Sequence, residues 1–555
     1  MAALPLPMLP RRRPQFWRLG CWAIAAIVAA PLLGIVANLA APGGDAFVHL
    51  AATTLPGILA DTLALVLIVG AGTAVIGVAT AWLVTMCRFP GSRSLDWALL
   101  LPMAMPAYIV GYAYADTLAF AGPLQSALRD TFGWRRGDYW FPDPAGVGGA
   151  GAMFVLVLYP YVYLLARAAF LEQSVCVLEA SRVLGAGPWR GFRAVALPLA
   201  RPAIAAGVAL ALMETLADFG TVQYFGVQSF TVAIYRTWYG MGERAAAAQL
   251  ATLLLFGVLL LLALERQARG EAQVHATSRR HRAIRPHRLA GWRAAAALTV
   301  CTLPLLLGFV VPATILLRLH LLGGEALDGA RFARLAGNSL LVAALAAALT
   351  VAAALMLGYG LRRARDRWTR AAIRFATMGY AIPGTVIAVG VVIWLGRFDA
   401  LLVAWLAAFP GLPGGLLLSG SLAALLFAHL VRFLAVAANA IDAGLGRITP
   451  SMDEAARTLG AGPLGVLARV HAPMMRGSVL AAATLVFVDV LKELPATLLV
   501  RPFDFDTLAV HVYALAADER LAEASTAALA IVLVGLAPVA MLSAMIRRAR
   551  AGTPG

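Results

Sequence analysis

About twelve separate stretches of mostly apolar residues run through this chain, at roughly 19–41, 58–86, 96–121, 149–170, 202–221, 247–264, 294–317, 338–360, 372–395, 416–440, 477–499 and 524–546. Each has about the 20 residues needed to cross a bilayer as a helix. A spanning segment must satisfy its own backbone polar groups, so runs of this length form helices. The apolar stretch 400–412 is broken by prolines and too short to span, and reads as a surface or re-entrant segment. The fold class expected is therefore an all-α polytopic membrane protein with about 12 transmembrane helices. Composition agrees, with 61% hydrophobic and only 13% charged residues among 555, against roughly 25% charged in a soluble protein.

The net charge of +17 is carried almost wholly by arginine, and Lys492 is the sole lysine. A G-x-x-x-x-G-K-[ST] phosphate loop cannot exist without its lysine elsewhere, so any ATP hydrolysis belongs to another chain. The arginines sit in short runs between apolar spans, which is the pattern of topology signals and not of a nucleic-acid surface. They gather at Arg11 to Arg18, Arg88 and Arg93, Arg182 to Arg201, Arg266 to Arg293, Arg362 to Arg370, Arg447 to Arg476 and Arg547 to Arg550. The positive-inside rule then places those segments, and both termini, in the cytoplasm. The first apolar run has the layout of a signal peptide. The second half opens with an equivalent run near Ala294 to Leu317, so an uncleaved helix is expected. Cys21, Cys87, Cys176 and Cys301 are widely spaced and show neither a zinc nor a disulfide pattern.

One polar segment occurs twice. Glu179-Ala180-Ser181-Arg182-Val183-Leu184-Gly185-Ala186-Gly187-Pro188 returns as Glu454-Ala455-Ala456-Arg457-Thr458-Leu459-Gly460-Ala461-Gly462-Pro463. Each copy runs through a basic amphipathic stretch to a second proline, Pro198 or Pro473, then to Arg201 or Arg476 and a long apolar span. The repetition extends further: Asp61-Thr62-Leu63 answers Asn338-Ser339-Leu340, and Met105-Pro106-Ala107 answers Ile382-Pro383-Gly384. The chain thus reads as two parallel six-helix repeats, 1–265 and 292–555. A cytoplasmic linker, 266–291, joins them; its His275, His281 and His287 form no convincing ligand set, and the linker is expected to be a flexible tether.

Residues 175–184 and 452–459 have good helix-forming content, and Gly-Ala-Gly-Pro follows each. Glycine ends helices in a left-handed conformation and proline suits the first turn of the next. A helix, a tight turn and a second short helix are expected at each copy, with Arg190, Arg193, Arg469 and His471 facing headgroups or water. Ser451-x-x-Glu454 fits a capping box, but the matching position before Glu179 is Cys176, which cannot cap in that way. A glutamate repeated without its capping partner points to a shared outside partner.

The Glu-Ala-Ala/Ser pattern, with Gly six residues after the Glu and Leu-Pro or Ala-Pro beyond, resembles the coupling loop of ABC importer permeases. Ser181 and Ala472-Pro473 depart mildly from the usual Ala and Leu-Pro. Longer strings extend the likeness over most of the chain: Phe132 to Pro142, Leu158-Tyr159-Pro160-Tyr161-Val162-Tyr163, Ala217-Asp218-Phe219-Gly220-Thr221-Val222 and Lys492-Glu493-Leu494-Pro495-Ala496-Thr497. These look like the fused two-half permeases that import ferric iron; thiamine, polyamine, sulfate and phosphonate permeases are the neighbouring alternatives. The resemblance implies the type I ABC importer permease fold and a multi-pass place in the bacterial inner membrane. It implies two partners, a cytoplasmic ABC ATPase dimer and a periplasmic substrate-binding protein. Glu179, Ala180 and Gly185, with Glu454, Ala455 and Gly460, would be the ATPase-coupling residues. The chain itself would hold no catalytic residue, metal or cofactor, ATP and Mg being used by the ATPase.

Ionisable groups inside spans are costly and point to function. Glu214 and Asp218, and at matched positions Asp489 and Glu493, form i, i+4 pairs expected on one helical face each. Two such faces would line a path for a hard cation; the alternatives are neutralisation by Lys492, Arg432 or Arg167, or a place at the outer interface. The loop Phe132–Pro144 suits either a docking surface for the binding protein or an interfacial aromatic belt. A secondary transporter, also built from repeats with midplane charges, is the competing class. No short-spaced nucleophile and base, and no Cys/His cluster, suggests an enzyme.

Overall fold

The computed structural model describes residues 14–38, 45–135, 137–172, 187–269, 286–322, 328–364, 366–377, 379, 382–406 and 417–550. Among these residues, 11 helices are long and apolar enough to cross a membrane. A twelfth span is a bent pair, Ser92–Ala104 with Ala107–Phe132, meeting at 87°. The bend falls at Met105-Pro106, where both residues are extended. Proline lacks the donor that would continue the helix and pushes its predecessor out of the α region.

The matching Ile382-Pro383 breaks the second half in the same way. Helix Arg367–Ala376 ends before it and helix Gly384–Leu406 begins directly after, with Ile387 N–H donating to the Pro383 carbonyl. The span expected at 372–395 is therefore displaced: it starts at Gly384 and absorbs 400–406, the beginning of the stretch expected at the surface. Residues 407–416 lie outside the described residues.

The chain folds as two compact units, and each draws on both sequence repeats. One comprises 1–34, 341–380 and 390–490; the other comprises 35–340, 381–389 and 491–555. In the first unit the N-terminal helix lies on helix Gly329–Arg363, with Gly20 against Met356 and the Trp17 ring 5.4 Å from Tyr359. In the second unit the opening helices of the C-terminal repeat lie on the N-terminal repeat. There the Tyr114 hydroxyl donates to the Leu307 carbonyl at 2.7 Å, and Gly308 packs on the Leu156 backbone.

Within that second unit, helices Leu55–Met86 and Leu197–Ala217 approach helix Gly146–Glu172 through glycine. A Cβ on Gly77 would lie 2.6 Å from the Val162 Cβ, and one on Gly207 would lie 2.7 Å from the Val162 Cα. Lipid provides no hydrophobic drive between helices, so close backbone approach and dispersion hold them together.

The interrepeat linker is tied down at its C-terminal end. His287–Arg288 pairs in parallel with Cys87–Arg88, at the end of helix Leu55–Met86. His275 and His281 lie outside the described residues. Cys21, Cys87 and Cys301 are buried free thiols; Cys176 is not among the described residues.

Candidate functional site

The second copy of the repeated loop is a helix, Pro450–Thr458, a turn, and a helix resuming at Pro463. Its end is closed by two backbone bonds, Gly460 N–H to the Arg457 carbonyl and Ala461 N–H to the Ala456 carbonyl, both 3.0 Å. Gly460 has φ +81. This is a Schellman motif, in which glycine takes the left-handed position at no steric cost.

The capping box does not form, because the helix begins earlier than Ser451. Thr449 is the N-cap residue, Pro450 occupies the first turn, and the Ser451 hydroxyl bonds to that of Thr449 at 2.8 Å. Glu454 is consequently exposed, together with Ala455 and Gly460, and makes no hydrogen bond or ion pair among the described residues. Leu459 beside them is 88% exposed. This is a surface that presents an acidic and an apolar group outward.

Asp453, one residue earlier, faces the opposite way. Its carboxylate accepts from Arg362 Nη2 at 3.0 Å and from His471 Nε2 at 2.6 Å. Burial by itself would raise the Asp453 carboxyl, but the bonds from His471 and Arg362 outweigh it and hold it below the usual carboxylate range. Arg362 also donates to the Leu445 and Ile448 carbonyls, at 3.1 and 2.9 Å, where helix Leu422–Leu445 ends. Expected to face headgroups or water, His471 is instead buried, its Nδ1 2.7 Å from the Tyr359 hydroxyl. Arg469, like Arg190 and Arg193, is exposed as expected.

Glu179, Ala180 and Gly185 lie outside the described residues, so the first copy is visible only from Gly187 onward. Its helix resumes at Pro188, as the second copy does at Pro463. Both then contain a five-residue wide turn at the same register, Phe192–Ala196 and Leu467–His471. Leu197 N–H bonds to the Phe192 carbonyl and Ala472 N–H to the Leu467 carbonyl. The next residue in each copy is Pro198 or Pro473. A proline ring collides with the carbonyl four residues back, and the widened turn makes room for it.

The four acidic span residues do not lie as two helical faces. Helix Leu197–Ala217 stops just before Asp218, and helix Ala472–Leu491 stops short of Glu493. Asp218 accepts from Thr221 N–H at 2.8 Å, Val222 N–H at 3.3 Å and the Thr221 hydroxyl at 3.1 Å. Glu493 does the same one repeat later, accepting from Ala496 N–H, Thr497 N–H and the Thr497 hydroxyl, each at 2.9 Å. Both carboxylates thus satisfy the open donors of a short helix that follows a break in the span. Glu214 and Asp489, one turn earlier, are half-buried on their helices.

Three further groups escaped the sequence reading. Arg167, considered there as a neutraliser of the acidic helices, is committed to Asp96. The two form a buried bidentate pair at 2.7 and 3.0 Å, with the Tyr163 hydroxyl on the Asp96 carbonyl. Tyr108 and Tyr112 are buried with hydroxyls unpartnered among the described residues, packed where Gly220 leaves room. The Asp453 cluster is the third. An arginine at the end of a span and an aspartate just before the repeated motif were the available cues, but nothing in the spacing says that they meet.

The aromatic loop is built as a platform. Phe132, Trp134 and Tyr139 stack in succession, with centroids 4.6 and 5.2 Å apart, and Trp140 beside them is 86% exposed. Gly133 ends helix Pro123–Phe132 in a left-handed turn, and Arg135 N–H donates to Asp138.

A multi-pass helical protein built on two repeats, with an exposed helix and turn between spans, has the plan of a transport permease. Residues 73–269 match the family described as binding-protein-dependent transport system inner membrane component. Over 540 residues, 96% of this chain and 98% of the relative, the sequence is 26% identical to the Fe(3+)-transport system permease protein FbpB 2 of Haemophilus influenzae. It is 23% identical to the ferric transport system permease protein FbpB of Actinobacillus pleuropneumoniae, over 77% of this chain and 60% of that protein. A shorter likeness, 34% over 27% of this chain and 62% of the relative, links it to the molybdenum transport system permease protein ModB of Escherichia coli. Over its whole length the chain is similar to fused two-half ABC permeases of the ferric iron type, and residues 73–269 match the inner membrane component of binding-protein-dependent transport.

Proposed function

We propose that this permease passes ferric iron, delivered by a periplasmic binding protein, into the cytoplasm by alternating access. A separate cytoplasmic ATPase dimer, which uses ATP and Mg, drives it. The cargo reading is supported by the end-to-end likeness to ferric permeases. The ModB likeness covers one segment only and speaks to the shared permease module.

The observation that carries the mechanism is the exposed Glu454 on a short helix closed at its C-terminal end by the Gly460 turn, which fits insertion into a groove of a partner. Glu179 is its counterpart by repetition. Closure of the ATPase dimer would draw the two coupling helices together and open the path outward; hydrolysis would reset it. Both loops and both termini then face the cytoplasm, consistent with the arginine distribution. The stacked Phe132–Trp134–Tyr139 platform is the candidate docking surface for the binding protein. Glu214, Asp218, Asp489 and Glu493 are the candidates for the substrate path, with Asp218 and Glu493 also capping the short helices that follow them. A weak, distributed acidic path suits a carrier that must release its cargo.

Glu179→Arg combined with Glu454→Arg is expected to leave the protein inserted but to abolish co-purification with the ATPase. Unchanged recovery of the ATPase would sink the coupling assignment. Deletion is expected to remove ferric-iron uptake, whereas a growth defect cured by thiamine would redirect the cargo.

A further inference from the structure

We propose that Asp453 is a positioning residue that fastens the C-terminal coupling helix to the spans behind it, so that movement of the Glu454 face is delivered through Arg362 and His471. The proposal rests on the coupling-loop reading and adds to it a route within the permease.

The geometry is that of a two-armed bracket. One carboxylate oxygen takes the Arg362 guanidinium, which stands at the end of helix Gly329–Arg363 and also binds the closing carbonyls Leu445 and Ile448. The other takes His471, in the wide turn that leads directly into helix Ala472–Leu491. A single side chain of the coupling helix is thereby tied to three spans. Side-chain exposures of 14% for Asp453, 21% for Arg362 and 6% for His471 keep these bonds largely out of water. Charge-assisted bonds of this kind are roughly twice as strong as neutral ones.

Both ring nitrogens of His471 are engaged. A carboxylate only accepts, so His471 Nε2 carries a hydrogen towards Asp453. In the neutral ring, Nδ1 accepts from the Tyr359 hydroxyl. In the charged ring, Nδ1 donates to the Tyr359 oxygen, whose own hydrogen can turn to Met475 Sδ, 3.8 Å away. The Tyr359 and His471 rings are stacked, 5.4 Å apart at 18°.

The repeat makes the bracket specific to one half. At the corresponding positions the N-terminal half has Leu178, Ala196, Trp82 and Thr85 in place of Asp453, His471, Tyr359 and Arg362. The bracket is therefore not demanded by the loop fold itself, because the wide turn and its proline are retained without it.

The test uses the full permease–ATPase complex in proteoliposomes, with ferric-iron-loaded binding protein as the probe. Three quantities are read: ATPase recovered with the permease, ATP hydrolysed, and iron taken up. For Asp453→Ala, ATPase recovery is expected within twofold of wild type, while iron taken up per ATP hydrolysed falls at least tenfold. Asp453→Glu, which keeps the charge, is expected to restore at least half of the ratio. Should Asp453→Ala fail to insert, His471→Leu, which removes one arm and leaves Arg362 on Asp453, must show the lowered ratio. A wild-type ratio in the variant that inserts overturns the proposal, as does no recovery with Asp453→Glu. The Glu179→Arg/Glu454→Arg control separates the two ideas: if it retains the ATPase, the docking reading itself has failed.

Discussion

The segments that follow the repeated loop in the two repeats share a backbone plan and differ in how they are fastened. In the C-terminal repeat the fastening includes helix Pro450–Thr458 itself, through Asp453 to Arg362 and His471. Among the described residues of the N-terminal repeat, a buried charge pair joins Asp96 and Arg167. The segment after its loop is held by rings: Trp82 lies 4.7 Å from Phe192 and 5.4 Å from Phe170, and Trp189 stacks on Phe192 at 5.4 Å. Proline, wide turn and helix restart recur in both. Backbone geometry is therefore what the repeat preserves, and side-chain fastening is free to diverge, because many sets of contacts can hold one backbone.

The largest effect expected from this difference is on stability. Arg167→Ala strands the Asp96 carboxylate in a buried site, a loss of about 3–5 kcal/mol. Arg362→Ala leaves Asp453 still bonded to His471 and is expected to cost less, about 1.5–3 kcal/mol. Thermal unfolding of the detergent-solubilised protein ranks the two; an Arg362→Ala loss as large as that of Arg167→Ala breaks the comparison.

Where the repeats agree, so should the variants. Asp218→Ala and Glu493→Ala each remove a carboxylate cap and are expected to lower stability by about 0.5–2 kcal/mol, by similar amounts. A marked inequality would mean that one of the two has work beyond capping, and would favour its place on the substrate path. Proton-uptake or iron-uptake kinetics of the outlier would then decide its role.

The smallest effect sharpens the turn. A Cβ on Gly460 meets nothing within 4 Å, so Gly460→Ala should lose only the cost of the left-handed backbone, about 1 kcal/mol. Gly460→Asn should recover part of it, since asparagine tolerates that conformation. The same melting measurement checks it, and a loss several times larger would show that the turn is packed against something in the folded protein.

Much of this was legible in the chain. The spans followed from apolar run length alone, since a bilayer imposes one thickness on every helix. The helix, the Gly460 turn and the restart at Pro463 followed from residues that each act locally, on their own φ or their own missing donor. The Ile382-Pro383 break was visible as a motif, yet the span after it was misplaced, because hydropathy does not register where a proline forces the helix to start.

The acidic residues show the limit most clearly. Glu214 and Asp218, or Asp489 and Glu493, have helical spacing, and a helix would align them. The helices end before the second member, because a carboxylate and a threonine hydroxyl placed ahead of open backbone donors make a new helix start cheap. Spacing carries no record of that competition between continuing and restarting.

What the sequence determined by itself is the set of elements: membrane helices, two repeats, and a repeated loop ending in glycine and proline. These depend on the medium and on each residue's own backbone preferences. Only the tertiary structure decided which charges meet. Asp96 finds Arg167, and Asp453 finds Arg362 and His471, across long separations in the chain. It also decided that the opening helix of each repeat packs on the body of the other. Such pairings are set by the summed packing of many helices in a solvent that rewards only close fit and satisfied polar groups, and no single segment contains that sum.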